Sequence, residues 1–78
     1  MPSYQVSFTI GGLLPPWTLV VEAADDDAIA AAVGAVIART AGPAAAIEIY
    51  GFEDLGSGRT VELVPAWYTA LRNGRILP

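Results

Sequence analysis

Apolar and polar residues alternate strictly over residues 4–10. Tyr4, Val6, Phe8 and Ile10 fall on one side, and Gln5, Ser7 and Thr9 on the other. A period of two marks a strand with one buried and one wet face. Gly11-Gly12 ends it, and Leu13-Leu14-Pro15-Pro16 follows as a stiff apolar connection, because the residue before each proline is driven to extended geometry. Residues 17–22 form the return strand, with Trp17, Leu19 and Val21 on one side. A hairpin is predicted, although no Asn-Gly type turn fixes its register.

The period then changes. Over residues 25–41 a stripe of Ile29, Val33, Val36, Ile37 and Thr40 recurs at helical spacing. Asp25 stands at the N-cap position, and Asp26 and Asp27 in the first turn suit the positive end of the helix dipole. Arg39 in the last turn, Gly42 at C′ and Pro43 beyond it mark the stop. No other segment is as long or as periodic, and the rest of the chain is organised around it.

Residues 45–52 predict a third strand, with Ile47 and Ile49 inward and Glu48 and Tyr50 outward. Residues 53–58 read as a flexible glycine-rich turn. Residues 60–64 form a fourth strand, with Val61 and Leu63 inward and Glu62 outward, and Pro65 stops it. Residues 66–78 admit two readings. Pro65 can open a short helix over 66–72 that Asn73-Gly74 ends, or Asn73-Gly74 can make a tight turn in an extended tail; the helix is preferred. The expected organisation is a single ββαββ domain over 1–65 and a C-terminal tail over 66–78, packed on the domain or on a partner.

The fold class is therefore α+β, a four-stranded mixed sheet with one helix on one face. In order of elements it resembles the ubiquitin-like and immunoglobulin-binding β-grasp domains. That resemblance implies first and fourth strands paired in parallel at the centre, a connection the crossover preference permits. No sequence motif carries it and there is no terminal Gly-Gly, so no function follows from it.

Composition changes the picture in one respect. A chain of 78 residues buries only about 60% of the surface its unfolded form exposes. Yet 54% of this one is hydrophobic and only 15% charged, against about 25% charged in an average soluble protein. Some apolar surface must stay outside, and extended apolar surface marks an interface. The net charge of −4, with four arginines and no lysine, leaves no basic footprint for nucleic acid or for an anionic membrane. With no cysteine and no histidine, disulfides, thiol chemistry and the commonest general base and metal ligand are absent. No cofactor or metal is implied. The N-terminal MPSYQV has neither the basic region nor the apolar run of a signal peptide. Between Asp27 and Arg39 lie eleven uncharged residues, too few to span a bilayer. A cytoplasmic protein is expected, or one packaged into a virion or other particle. Abundant alanine without lysine suits a GC-rich bacterial or phage coding sequence.

Three features are candidate partner-binding sites. Leu13, Leu14 and Trp17 form an apolar finger with Trp17 as anchor, unless the loop folds back over the core. Ala30, Gly34 and Ala38 recur at i, i+4, i+8 on a smooth helix face that another backbone can approach closely. Gly34 otherwise costs about 1 kcal/mol relative to alanine, and the bland alternative is a surface helix filled with alanine by coding bias. Trp67, Tyr68 and Arg72 have the composition of an interface hot spot, unless Trp67 caps the core and the arginine is solvated. Asp25, Asp26 and Asp27 are consecutive and splay around the helix start, which favours capping over a calcium or magnesium site. The turn before Arg59 lacks the spacing and lysine of a phosphate-binding loop. Pro2, freed by removal of Met1, resembles the N-terminal catalytic base of the tautomerase family; that family's fold begins strand–helix, whereas here a second strand intervenes. The function expected is a non-enzymatic assembly or interaction subunit: a homo-oligomer, a particle component or an inhibitor of another protein. The alternatives are a monomeric β-grasp-type module that adds a peptide to an edge strand and, more remotely, a tautomerase-like enzyme working through Pro2.

Overall fold

In a computed structural model, described over residues 1–42, 44–70 and 76–77, the alternating N-terminal segment becomes β1 (Ser3–Ile10). It pairs antiparallel with β2 (Trp17–Glu22), in unbroken register from Ser3 opposite Glu22 to Phe8 opposite Trp17. A 3-10 turn (Asp26–Ala28) leads into α1 (Ile29–Thr40). The strands β3 (Ala46–Asp54), β4 (Thr60–Ala70) and β5 (Ile76–Leu77) follow. Sheet order is β2-β1-β3-β4-β5, and every adjacent pair is antiparallel.

This order corrects the β-grasp expectation and the mixed sheet. The first strand pairs with the third, not with the fourth, and no described pair is parallel. Since β2 and β3 are both antiparallel to β1, they run parallel to each other with β1 between them. The helix is thus the crossover of a split β-α-β unit. Side-chain size and proline explain the choice. Placing β1 beside β3 sets Val6 against Phe52, Phe8 against Ile49 and Ile10 against Ile47 at the centre. The fourth strand carries Pro65, which suits an edge or a bulge and not a central ladder.

Pro65 does not end β4, and the helix expected over 66–72 does not form across the described residues 66–70, which are strand. Between the pairs Ile49–Ala66 and Gly51–Glu62 the register shifts, so Leu63-Val64-Pro65 bulges opposite Tyr50. A bulge accommodates a residue without an N–H and lets the strand resume with its phase changed. A second shift between β1 and β3, at Ser7/Phe8, inserts Tyr50 as the extra residue on β3. Ile49 and Phe52 consequently both face the core. Tyr4 and Phe52 meet there edge to face, with ring centroids 5.6 Å apart.

The core lies between this face and α1, built from Tyr4, Val6, Phe8, Val21, Ile47, Ile49 and Phe52 of the sheet and Ile29, Val33 and Ile37 of the helix. Asp25 is extended, and its Oδ1 accepts from the Ala28 N–H at 3.0 Å; the predicted N-cap thus closes the 3-10 turn, and α1 itself begins after Ala28 with no side-chain cap. Gly42 takes φ +102°, as its C′ role requires; Pro43 lies outside the described residues. Asp25→Ala is expected to cost about 1 kcal/mol, read as a lower urea midpoint with unchanged slope. An unmoved midpoint would mean the cap contributes nothing. Asp26 instead reaches across to the β3–β4 turn, where Arg59 Nη2 donates to both its oxygens at 2.8 Å. Both side chains are half exposed, so this ion pair contributes at most about 1 kcal/mol.

Candidate interaction surface

Gly11 and Gly12, at φ +63° and +73°, turn the chain off β1 in a left-handed geometry that glycine adopts without strain. The Gly11 N–H donates to the Ala46 carbonyl at 2.8 Å, and the Leu13 N–H to the Ile10 carbonyl at 3.2 Å. These bonds hold the base of the loop and project its tip. Leu13 and Leu14 are 72% and 74% exposed, and Trp17 is 60% exposed. The loop does not fold back over the core. With Ile10, Pro15 and Pro16 these residues line a concave surface of ≈ 450 Å³.

Trp67 is exposed too, on the other side of the sheet from Trp17. It lies opposite Glu48, on the sheet face away from α1. Its ring carbon Cη2 stands 3.2 Å from where a Gly12 Cβ would be, so the indole abuts the base of the loop. The indole thus packs on the hinge of the loop, while Trp17, across from Phe8, stands on the α1 side of the sheet. Tyr68, next along the strand, points the other way, opposite Ile47. It lines a cavity of ≈ 310 Å³ with Ile49, Phe52, Val61 and Leu63, beside the start of α1. Trp67 and Tyr68 therefore serve opposite faces. Arg72 lies outside the described residues.

The alanine–glycine stripe is where the structure departs most from the sequence reading. Gly34 is buried together with Ile29, Val33 and Ile37. Ala30 and Ala38 pack against the same core, while Ala31 is the exposed one. The buried arc is turned from the predicted stripe towards Gly34, because α1 packs beside β4 and β5 as well as β2. Ala30, Gly34 and Ala38 thus face the chain's own sheet, and Thr40, assigned inward, is exposed. The small residues are thus covered within the chain itself.

Elsewhere most polar groups have structural partners, the buried Thr9 hydroxyl excepted. The Tyr50 hydroxyl donates to Glu48 Oε1 at 2.7 Å. This bond holds the phenol above its usual pKa range, and the Thr9 hydroxyl, close by but outside hydrogen-bond geometry, acts in the opposite direction. Burial, then the charges of Asp26 and Asp54, push the Tyr4 phenol upward too. The turn at 54–59 is tied by Asp54, whose Oδ1 accepts from the Gly56 N–H at 2.9 Å. Pro2 is exposed, with its carbonyl accepting from Ala23 at 3.1 Å. Among the described residues no cluster of acidic side chains could hold a metal ion, and no helix is long and apolar enough to cross a membrane.

The sequence reading passed over Val20, 60% exposed on the same face of β2 as Thr18 and Glu22. Its signal was available: an apolar residue in the polar phase of an alternating strand. Comparison of the chain with family models, curated proteins and solved structures finds no match in any of the three.

Proposed function

We propose that this protein is a non-enzymatic interaction subunit, and that its contact surface is the apolar patch of Leu13, Leu14 and Trp17. It acts by burying this surface against another copy or a second protein, in the cytoplasm or inside a particle. One observation carries the reading: a loop anchored at its base holds two leucines and a tryptophan in solvent around a concave apolar surface. Apolar patches of this kind mark contact sites, and a tryptophan at the centre is the commonest anchor.

The test is the double variant Leu13→Asp/Leu14→Asp, which removes apolar surface from an exposed loop without touching the core. Sedimentation of the wild type over a concentration series, alone and with extract from the native host, is expected to show association. The variant should weaken it roughly tenfold or more. Association equal in both proteins, or none in either condition, would defeat the reading.

A further inference from the structure

We infer that the protein forms a two-fold dimer by pairing β2 with β2 of a second copy, centred on Val20. This rests on the reading of the chain as an interaction subunit and names the partner as the chain itself. The argument begins with the direction of backbone groups. The Ala23 N–H donates to the Pro2 carbonyl, and the Leu55 N–H to the Ser3 carbonyl. Antiparallel ladders alternate, so in β1 the even residues Tyr4, Val6 and Phe8 bond towards β2 and the odd ones towards β3. By the register Tyr4–Val21, Val6–Leu19 and Phe8–Trp17, the odd residues of β2 spend their N–H and C=O groups on β1. Thr18, Val20 and Glu22 present theirs outward. Among the described residues no strand takes this edge. Of the devices that blunt an edge, β2 has no lysine, no internal proline and no bulge among the described residues, and its one charge is Glu22 at its end.

The strand is its own complement in one register. With Val20 opposite its copy, Thr18 faces Glu22, and every outward N–H and C=O of these three residues finds a partner. The two glutamates then stand roughly 13 Å apart along the seam, four residues at about 3.3 Å each. Slipping two residues one way opposes Glu22 to Pro16, which has no N–H to give. Slipping the other way brings the glutamates to about half that distance. In the centred register the core-side neighbours are apolar. Leu19 faces Val21, and the exposed Trp17 falls across from Ala23. The apolar groove of ≈ 360 Å³ between β2 and α1, lined by Phe8, Trp17, Leu19, Val36 and Ile37 among others, continues into this seam.

Val20→Pro tests the seam. The proline deletes an N–H that β1 does not use, so the fold should survive, as judged by far-ultraviolet circular dichroism. Val20→Lys is the second variant; it keeps the N–H and sets two like charges opposite each other. Wild type is expected to sediment at twice the 8.1 kDa chain mass, with the amides of Thr18, Val20 and Glu22 protected from hydrogen exchange. Either variant should raise the dimer dissociation constant roughly a hundredfold or more and expose those three amides. A wild type that stays monomeric at millimolar concentration overturns the inference. So does a dimer indifferent to both variants. If those amides become protected only with a different protein, the edge takes a foreign strand and the dimer is wrong. Association that falls with Leu13→Asp/Leu14→Asp but not with Val20→Pro leaves the interaction-subunit reading standing and removes this one.

Discussion

Gly51→Ala is expected to destabilise the protein by about 3 kcal/mol or more, among the largest effects of any single methyl group in the chain. A Cβ at this position would lie 2.5 Å from the Val61 carbonyl oxygen and 3.2 Å from the Glu62 Cα. Both are backbone atoms of the facing strand, so no rotamer change relieves the overlap. Either β4 withdraws and its ladder to β3 breaks around the Gly51–Glu62 pair, or β3 twists and draws Phe52 out of its contact with Tyr4. A domain of this size has roughly 4–12 kcal/mol in total, so the loss should be plain in a urea titration. A midpoint within experimental error of wild type would show that the two strands are not held as close as described. Gly58, at φ +74° but with open space around its missing Cβ, supplies the comparison. Alanine there meets backbone strain alone and should cost less.

Gly34→Glu should do at least as much damage, for a different reason. On a free helix face this substitution would alter association and leave stability nearly untouched. Gly34 is buried against the chain's own sheet. A carboxylate there must displace core neighbours and either stay charged without a partner or bind a proton, and burying an unpaired charge costs several kcal/mol. We expect more than about 4 kcal/mol and a population unfolded or molten at 25 °C. The neighbouring Ala31→Glu, on the exposed side of α1, should stay within about 0.5 kcal/mol of wild type. If Gly34→Glu folds with wild-type stability, α1 does not sit on the sheet in this orientation. The contrast between the two sites measures the rotation of the helix directly.

That rotation bears on how much of the candidate site was legible. The pattern of the helix located the apolar stripe from Ile29 to Ile37 and roughly its direction, but not its end, since Thr40 is exposed. Alanine and glycine carry too little hydrophobicity to show which flank of the stripe is also covered, so Gly34 read as surface. The loop at 13–16 was easier, because two leucines and two prolines in series have no secondary structure to hide in. The packing of Trp67 on its hinge at Gly12 was invisible. It depends on β4 running on past Pro65 and carrying the indole back towards Gly12, across fifty-five positions of sequence.

By itself, the sequence determined every feature that rests on neighbours along the chain. These are the β1–β2 hairpin, set by strict alternation; the start of the helical segment at its 3-10 turn, set by Asp25; the end of α1, set by Gly42; and a surplus of apolar surface for so short a chain. Tertiary structure alone decided what depends on which strand lies beside which. It placed β3 next to β1 because their large apolar side chains fill the centre best. It carried β4 through a bulge at Pro65, turned Gly34 inward, and left the edge of β2 open. A local pattern specifies which face of a strand or helix is buried. Only packing across the whole sheet specifies which edges remain to be paired.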